Sequence, residues 1–424
     1  MRQDPLIEIP GGLRWTAERR STHSIEWQNQ LLSAKVAGDP CLCLCTDKGT
    51  RPLYVTTRKG MFYLARHPGT GHLHRSDCRF YSPAPEESGL AIYTESALRE
   101  TGDGRKIVQL SVPLARRLNA RQPAAEGVGS FQFNVANTCA RMTPLGLLNF
   151  LWAEADLARW YPNMAGKRTW ASVRKALLTA GSQITSRKRS IEDKLIVVPA
   201  EAWPALSDDV WRDIVEKANR PAGGTWIEHF LLLGEVKTIR PGPRATVVGL
   251  AATPSRPLTL FATHALEAAW RRSYPFLDKL GADASPPRRV VGLLFGDLRA
   301  DGARVISNIH AGAFLPMTAE FIPYASSYEH RVARRLIDQG RAFQKPLRYE
   351  AGADVVFPDF VLLDTELPHY PMEVYGRMND PAYVARRQQK NLLYQKLYGA
   401  AHFWQWVVDP AYPDAIPPFP PKGR

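Results

Sequence analysis

The 424-residue chain lacks several features that define large classes of protein. No apolar run reaches the roughly 18 residues that span a membrane. The N-terminus, Met1-Arg2-Gln3-Asp4-Pro5, lacks the apolar core of a signal peptide. No glycine-rich phosphate-binding loop occurs, so ATP use is not indicated. These absences predict a cytoplasmic protein without a membrane partner.

Acidic residues and cysteines are also scarce. The chain has only 41 acidic residues but 55 basic ones, which gives a net charge of +14. That excess favours a polyanionic partner, with nucleic acid the usual one, over a surface of scattered solvated cations. The five cysteines are an odd number, which argues against a disulfide framework in a cytosolic chain.

The chain is too long for one hydrophobic core, and its patterning predicts a multidomain α/β protein. The predicted segments are an N-terminal arm (1–25), a zinc-binding β-rich module (26–140), a winged-helix-like DNA-binding domain (141–220), a β-rich linker domain (221–323) and a C-terminal α-β-β-β-α-β domain (324–424). The oligomeric state is not indicated by the sequence.

Four of the five cysteines fall between Cys41 and Cys78, among several histidines. Thiolates and imidazoles are zinc ligands, and a closed structural site takes four of them. Cys43 and Cys45 predict one ligand pair, and His74 and Cys78 the other. The choice of four stays open, with further candidates Cys41, His67 and His72. The alternative is a strand of buried cysteines beside surface histidines.

A helical period begins at Thr143, which precedes Pro144 as a predicted cap. A second helix is expected over 169–180, followed by a basic turn and the strand 195–199. This order is typical of a winged-helix module, and its cations predict contacts to DNA phosphates. The predicted DNA contacts there are Lys167, Arg168, Arg174, Lys175, Arg187, Lys188 and Arg189. The alternative is an ordinary helical subdomain with a solvated basic face.

Residues 226–323 alternate in the manner of strands around one helix predicted over 263–274. No residues in this segment have metal-ligand or catalytic spacing, so its role is not indicated. The segment is interpreted as a β-rich linker domain.

Three acidic residues lie on predicted helices and strands of the C-terminal segment. Glu329 lies in the first turn of a predicted helix, Asp359 on the strand 357–363, and Glu373 on the strand 371–375. The predicted order over 327–408 is α-β-β-β-α-β, with another strand expected over 345–350. Carboxylates on neighbouring elements suit Mg²⁺ or Mn²⁺, hard cations that prefer oxygen ligands.

This order, with Pro358-Asp359 and Glu373, resembles the PD-(D/E)XK nuclease superfamily, which has the restriction-endonuclease-like fold. The resemblance covers about 80 residues. It implies that Asp359 and Glu373 hold Mg²⁺ and that Glu329 supports a ligand or a second metal. It also implies metal-assisted hydrolysis of a phosphodiester.

One position departs from the family's pattern. Tyr375 stands where a lysine is usual, two residues after the second acid. Some members carry the lysine on the following helix, where Lys390 is the candidate catalytic residue and Arg386 shares its face four residues earlier. If that face points to solvent, the fold would bind DNA without cutting it.

Nearly the whole chain resembles a bacterial family of unknown function carried on plasmids and integrative conjugative elements. The resemblance rests on Cys43-Leu44-Cys45, His74 with Cys78, Trp160-Tyr161-Pro162 and Pro358-Asp359. We therefore predict a magnesium-dependent DNA endonuclease or nicking subunit of a mobile genetic element, with other element proteins as further partners. The alternatives are an inactive nuclease-like DNA-binding or assembly factor of a conjugation or transposition system, and an RNA-processing enzyme.

Overall fold

A computed structural model describes most of the chain. The described residues are 4–47, 49, 51–58, 61–66, 70–75, 78–81, 97–101, 104–117, 141–186, 189–199, 208–219, 226–251, 258–280, 289–302, 304–347, 357–367, 369–376, 381–399 and 402–423.

The described residues form eight helices and 23 strands. The helices are α1 (Ala17–Thr22), α2 (Ser24–Ala37), α3 (Pro144–Glu154), α4 (Trp170–Ser182), α5 (Asp208–Asn219), α6 (His264–Ser273), α7 (Ser327–Asp338) and α8 (Pro381–Tyr398). The strands are β1 (Ile7–Glu8), β2 (Arg14–Trp15), β3 (Cys41–Cys43), β4 (Pro52–Arg58), β5 (Met61–Arg66), β6 (Leu98–Glu100), β7 (Lys106–Val108), β8 (Ala115–Arg117), β9 (Arg159–Trp160), β10 (Ile184–Ser186), β11 (Arg189–Ser190), β12 (Leu195–Val197), β13 (Trp226–Glu228), β14 (Phe230–Pro241), β15 (Thr246–Leu250), β16 (Leu258–Ala262), β17 (Arg289–Gly296), β18 (Arg299–Asp301), β19 (Arg304–Met317), β20 (Phe343–Gln344), β21 (Phe360–Leu362), β22 (Tyr370–Tyr375) and β23 (Trp404–Val407).

The N-terminal sheet has the strand order β2-β1-β3-β4-β5. The β4–β5 hairpin lies where the alternating pattern predicts it. Residues 1–25, expected as a polar arm, instead supply β1 and β2, because Ile7 and Trp15 are apolar and fully buried in the core of this sheet. The described part of the arm is therefore integral to the module.

The β-rich segment closes into a barrel. Strand β14 pairs with β15, β15 with β16, β16 with β19, β19 with β17, and β17 again with β14. The β16–β19 pair is parallel, whereas the other four are antiparallel. Helix α6 joins β16 to β17 and buries Leu266 and Trp270 in the barrel core. The sequence pattern predicted α6 and strands over 230–236, 245–250, 290–295 and 303–306, but not β16.

Helices α3 and α4 lie against the outer side of one half of the barrel. Leu147 and Leu177 share a core with Leu231 of β14 and Leu293 of β17. Helix α3 begins as predicted, since the side chain of Thr143 caps it. Helix α4 begins one residue later than expected, because the side chain of Thr169 caps it.

Strand pairings cross the predicted segment boundaries here. Strand β10 pairs with β7 from the preceding segment, and β12 pairs in parallel with β14 from the following one. The helices and the β10–β11 hairpin are therefore continuous with their neighbours, and the winged-helix interpretation stays a prediction.

The C-terminal sheet has the order β23-β22-β21-β20-β9. Strands β20 and β21 pair antiparallel, as do β21 and β22, whereas β22 and β23 pair in parallel. These four strands follow one another in the order of the predicted α-β-β-β-α-β pattern. Strand β9 is an addition from residues 159–160, about 180 residues upstream. The strand expected over 345–350 is shorter and earlier, because β20 ends at Gln344. Residues 348–350 lie outside the described part of the chain.

The proline-rich tail lies along this C-terminal unit. Trp404 donates a hydrogen bond to the carbonyl of Pro418, and Arg341 donates one to that of Pro420. Phe419 packs against the hydrophobic core beneath β22 and β23. Extended prolines thus cover one side of the domain without forming helix or strand.

Among the described helices, none has the length and apolar character needed to cross a membrane.

Candidate functional sites

Cys43, Cys45, His74 and Cys78 come together as a buried cluster whose ligand atoms all lie within 4.8 Å of one another. The Sγ atoms of Cys43 and Cys78 are 3.7 Å apart, and Nδ1 of His74 lies 3.5 Å from Sγ of Cys45 and 3.9 Å from Sγ of Cys78. Thiolates about 2.3 Å from a tetrahedral zinc lie about 3.8 Å from each other. The cluster could therefore bind a metal such as zinc.

Local structure explains why these four converge. Cys43 ends β3 and Cys45 follows two residues later, so the period of two puts both side chains on the buried face. His74 and Cys78 follow a 3₁₀ turn over Gly71–Leu73. The backbone amide of Arg75 donates to Sγ of Cys45, which favours a thiolate there.

The alternative ligands are not part of the described cluster. Cys41 is buried in the same core but is not among the four clustered residues, and burial raises its thiol pKa to about 11. His67 lies outside the described residues, as does the side chain of His72. Hydrogen bonds from Cys43 and Cys78 hold the pKa of Cys45 well below the usual range.

Glu329 is the first acid of the C-terminal site and lies in the first turn of α7. The side chain of Ser326 caps the helix by accepting from the amide of Glu329, while Oε2 of Glu329 accepts from the amide of Ala325. The same Oε2 lies 2.8 Å from Nζ of Lys345, and both side chains are less than a tenth exposed. Glu329 and Lys345 therefore form a buried ion pair.

Asp359 precedes β21 and is the most exposed of the three acids, with 26% of its side chain accessible. Its Oδ2 accepts from the amide of Val374 in β22, which fixes the carboxylate beside the neighbouring strand. Its Oδ1 lies 3.9 Å from Nζ of Lys345. Asp359 is thus held at the strand edge with one oxygen directed at a buried lysine.

Glu373 points from β22 towards α8. Its Oε1 lies 2.8 Å from Nζ of Lys390 and accepts the hydroxyl hydrogen bond of Tyr394, one turn further along the helix. Lys390 also donates to the carbonyl of Phe357, 2.9 Å away. The face of α8 that carries Lys390 therefore points at the acids and not at solvent.

Burial is the largest influence on two of these acids, and it raises the pKa of Glu329. It raises the pKa of Glu373 to about 8, with Lys390 opposing the shift. Burial alone would lower the pKa of Lys345, but Glu329 and Asp359 raise it overall, so this lysine stays charged. The site thus holds the buried cation of Lys345 and the partly buried one of Lys390 beside three acids.

Tyr375 occupies the position where the resemblance implies a lysine, and its contacts are internal. Its hydroxyl donates to Oδ1 of Asn391, and the guanidinium of Arg387 lies 5.1 Å from its ring centroid. Burial raises the pKa of Tyr375 well above the usual range, so the phenol is neutral. The cation near Glu373 comes from the helix instead.

The three acids are less tightly gathered than the cysteines. Within the described ranges, the Cys–His cluster is the only group of three or more such ligands whose atoms all lie within 4.8 Å. A magnesium ion shared by all three acids would need intervening waters, which this cation commonly keeps.

Sequence reasoning missed Lys345. It follows β20 directly, and its amide donates to the carbonyl of Ala158 beside β9, which anchors the residue against the sheet. No motif spacing in the sequence separates Lys345 from other lysines. The contact that distinguishes Lys345 exists only in the folded protein, because its partner Glu329 lies on α7.

The basic residues predicted to contact DNA are placed differently from one another. Arg168 and Arg174 direct their guanidinium groups at backbone carbonyls, including those of Leu157 and Val197, and burial lowers the pKa of Arg168 to about 10. These two arginines therefore stabilise the fold.

Lys167 and Lys175 are exposed. Arg189 lies near Glu228, with 3.6 Å between the charged groups. Arg187 and Lys188 lie outside the described residues, as does the side chain of Arg386.

A family model described as a protein of unknown function, DUF1173, matches residues 15–409. The chain belongs to this family, which confirms the expected membership of a family of unknown function. A comparison with curated proteins found no match.

Proposed function

We propose that this DUF1173 protein is a metal-dependent DNA endonuclease or nicking subunit whose site is formed by Asp359, Glu373, Glu329 and Lys390. The observation that carries the proposal is the contact between Lys390 and Glu373. It supplies a cation from α8 where Tyr375 has replaced the expected lysine. The strand order of the C-terminal sheet supports a PD-(D/E)XK-like fold.

Asp359 and Glu373 would hold a magnesium or manganese ion, with Glu329 as support for a ligand or a second ion. Their carboxylate oxygens fit a hard cation. Such an ion supplies Lewis-acid polarisation of the phosphate and of a bound water. Asp359 presents the accessible carboxylate, so the substrate phosphate would approach from its side.

Lys390 would stabilise charge that develops on the phosphate. Its ammonium lies 2.8 Å from Glu373 and is held there by the carbonyl of Phe357. A fixed cation beside the reacting group lowers the barrier because it does not need to reorganise. Lys345 would hold Glu329 and face Asp359, so it positions both acids.

The test is cleavage of supercoiled plasmid and branched DNA with Mg²⁺ or Mn²⁺. Asp359→Asn and Glu373→Gln should each reduce the rate by about 100-fold or more, because each removes a charge that acts on the transition state. Glu366→Gln is the matched control, since Glu366 is an exposed acid of the same domain. Equal rates in all four proteins would refute the proposal.

A second candidate is a nuclease-like factor that binds DNA without cutting it. It is favoured by the pairing of Glu329 with Lys345 and of Glu373 with Lys390, which neutralises two acids internally. DNA binding that persists in chelator, with no cleavage of any substrate, would support this candidate. A role in the conjugation or transposition of a mobile element rests on the sequence resemblance alone.

We also propose that the Cys43–Cys45–His74–Cys78 cluster holds a structural zinc ion. Three thiolates and one imidazole complete a tetrahedron, so no position remains open for a substrate. The burial of all four residues supports a structural rather than catalytic role. Metal analysis of the purified protein tests this, with about one zinc per chain expected.

A further inference from the structure

The barrel formed by β14, β15, β16, β17 and β19 has a strand connectivity that is found in ligand-binding proteins. Numbering β14, β15, β16, β17 and β19 from one to five, the closed order is 1-2-3-5-4-1, and α6 lies between the third and fourth strands. The third and fifth strands are parallel. This is the topology of the OB-fold, in which the outer face of strands two and three binds oligonucleotides or oligosaccharides.

Fold alone does not assign a ligand, so the residues on that face decide. The opposite half of the barrel is covered by α3 and α4. On the second and third strands, Val247 and Phe261 are directly paired and both point outward, since their neighbours Val248 and Leu260 are buried in the barrel. Val247 is 37% exposed. The centre of the face is therefore apolar and aromatic.

The register extends this row across four strands. Arg240 of β14 pairs with Val247, and Phe261 pairs with Asn308 of β19. Strands lie about 4.8 Å apart, so the row spans about 15 Å. That length accommodates several successive nucleotides of an extended strand.

Arginines lie at both edges of the row. Arg240 and Arg244 are exposed on and after β14, and Arg299 and Arg304 are exposed on the β18–β19 hairpin. Within the described part of the chain, none of these four guanidinium groups has a hydrogen bond or an ion pair. Three solvent-accessible acids lie near them, and each has a basic neighbour. Asp301 pairs in register with Arg304. Asp278, near Ile239, pairs with Arg271, and Asp213 of α5, which contacts β18, pairs with Lys217.

We propose that this face, defined by Arg240, Arg244, Val247, Phe261, Arg299 and Arg304, binds single-stranded DNA. Free guanidinium groups would bind successive phosphates, and Phe261 would stack on a base, the combination found in sequence-tolerant single-strand binders. Val247 and Phe261 offer no partner to a ribose 2′-hydroxyl, and Asp297 already occupies the Asn308 amide. The centre of the face therefore gives RNA no advantage over DNA.

The face is separate from the C-terminal acids, and the inference goes beyond the nuclease proposal. A strand held on the barrel would be presented to the rest of the protein in an unpaired form. A nuclease-dead protein would still bind, which keeps the two proposals distinguishable.

Fluorescence anisotropy with a labelled oligodeoxythymidylate of about 15 nucleotides, without added divalent cation, tests the inference. Phe261→Ala should weaken binding by about 5- to 100-fold, as expected for the loss of one base–aromatic stack. Phe261→Tyr retains the ring and should bind like the wild type. Glu366→Gln, which changes an exposed acid of the C-terminal domain outside both proposed sites, should also bind normally.

Salt dependence provides a second, independent measure. Arg240→Ala and Arg299→Ala should each reduce the slope of log affinity against log salt by about 0.7, the value for one phosphate contact on a single strand. Arg99→Ala is the matched control, because Arg99 is an exposed arginine of another sheet with no partner among the described residues. Its slope should be unchanged.

Several outcomes would overturn the inference. Unchanged affinity and slope in Phe261→Ala, Arg240→Ala and Arg299→Ala would exclude the face. An equal change of the salt slope in Arg99→Ala would mean that DNA is attracted by the protein's overall positive charge and not by this face. Stronger competition by duplex DNA or by an oligouridylate than by oligodeoxythymidylate would assign the face to another nucleic acid.

Discussion

The buried pair between Glu329 and Lys345 gives a sharp prediction about the C-terminal domain. Lys345→Met removes the ammonium while retaining much of the side-chain volume, and leaves Glu329 with no cation 2.8 Å away. Breaking one side of a buried pair costs about 3–5 kcal/mol. The loss has an upper limit, because Glu329 can take up a proton instead of remaining charged.

The maximum loss of stability can be calculated from the ordinary pKa of a glutamate, since it equals the cost of protonating Glu329. Protonating a glutamate of pKa about 4.3 at pH 7 costs about 3.5 kcal/mol, at 1.36 kcal/mol per unit. At pH 5.5 the same step costs under about 2 kcal/mol. Lys345→Met should therefore destabilise the domain by about 3.5 kcal/mol at pH 7 and by markedly less at pH 5.5.

Hydrogen exchange measured on peptides covering β21 and β22 is the suitable assay, because it reports the opening of this domain within the whole chain. A loss of about 3.5 kcal/mol accelerates exchange about 400-fold. The double variant Lys345→Met/Glu329→Gln removes the stranded charge and should exchange much more slowly than Lys345→Met alone.

Lys396→Met is the control, since Lys396 is exposed on α8, and it should change stability by less than about 0.5 kcal/mol. Stability of Lys345→Met equal to that of this control would show that Glu329 does not need its cation. An effect that does not shrink at pH 5.5, or a double variant no more stable than Lys345→Met, would show that a stranded charge is not the cause.

Three further predictions concern other sites. Cys78→Ser should abolish the bound zinc measured by elemental analysis, whereas Cys41→Ser should retain it, because Cys41 lies outside the cluster; retention in both variants would refute the ligand assignment. Without divalent cations, the raised pKa of Glu373 means that the folded state binds an extra proton between about pH 4.5 and about pH 8, so this group's contribution to stability falls as pH rises through that window. Urea unfolding should show that Glu373→Gln removes this part of the pH dependence, and an unchanged profile would contradict the shift. Arg168→Ala should lower stability by about 1–3 kcal/mol while leaving DNA affinity unchanged, because its guanidinium donates to backbone carbonyls; a selective loss of affinity would assign it to DNA instead.

Local patterns determined much of this protein from the sequence alone. The alternation of Cys43 and Cys45 places two thiols on one face of a strand, and Thr143 caps α3 as its residue type predicts. Glu329 and Glu373 could be assigned to their elements because helix and strand periods are readable over a few residues, whereas Asp359, expected within a strand, directly precedes β21.

The tertiary structure decided what depends on residues distant in sequence. Barrel closure requires β14 to pair with β17 some 60 residues later, and the closure leaves Phe261 on an accessible face. Lys345 became a partner of Glu329, and Lys390 of Glu373, only when α7 and α8 packed against the sheet. The physical reason is that periodicity fixes which side of an element a residue occupies, whereas packing alone fixes what it faces.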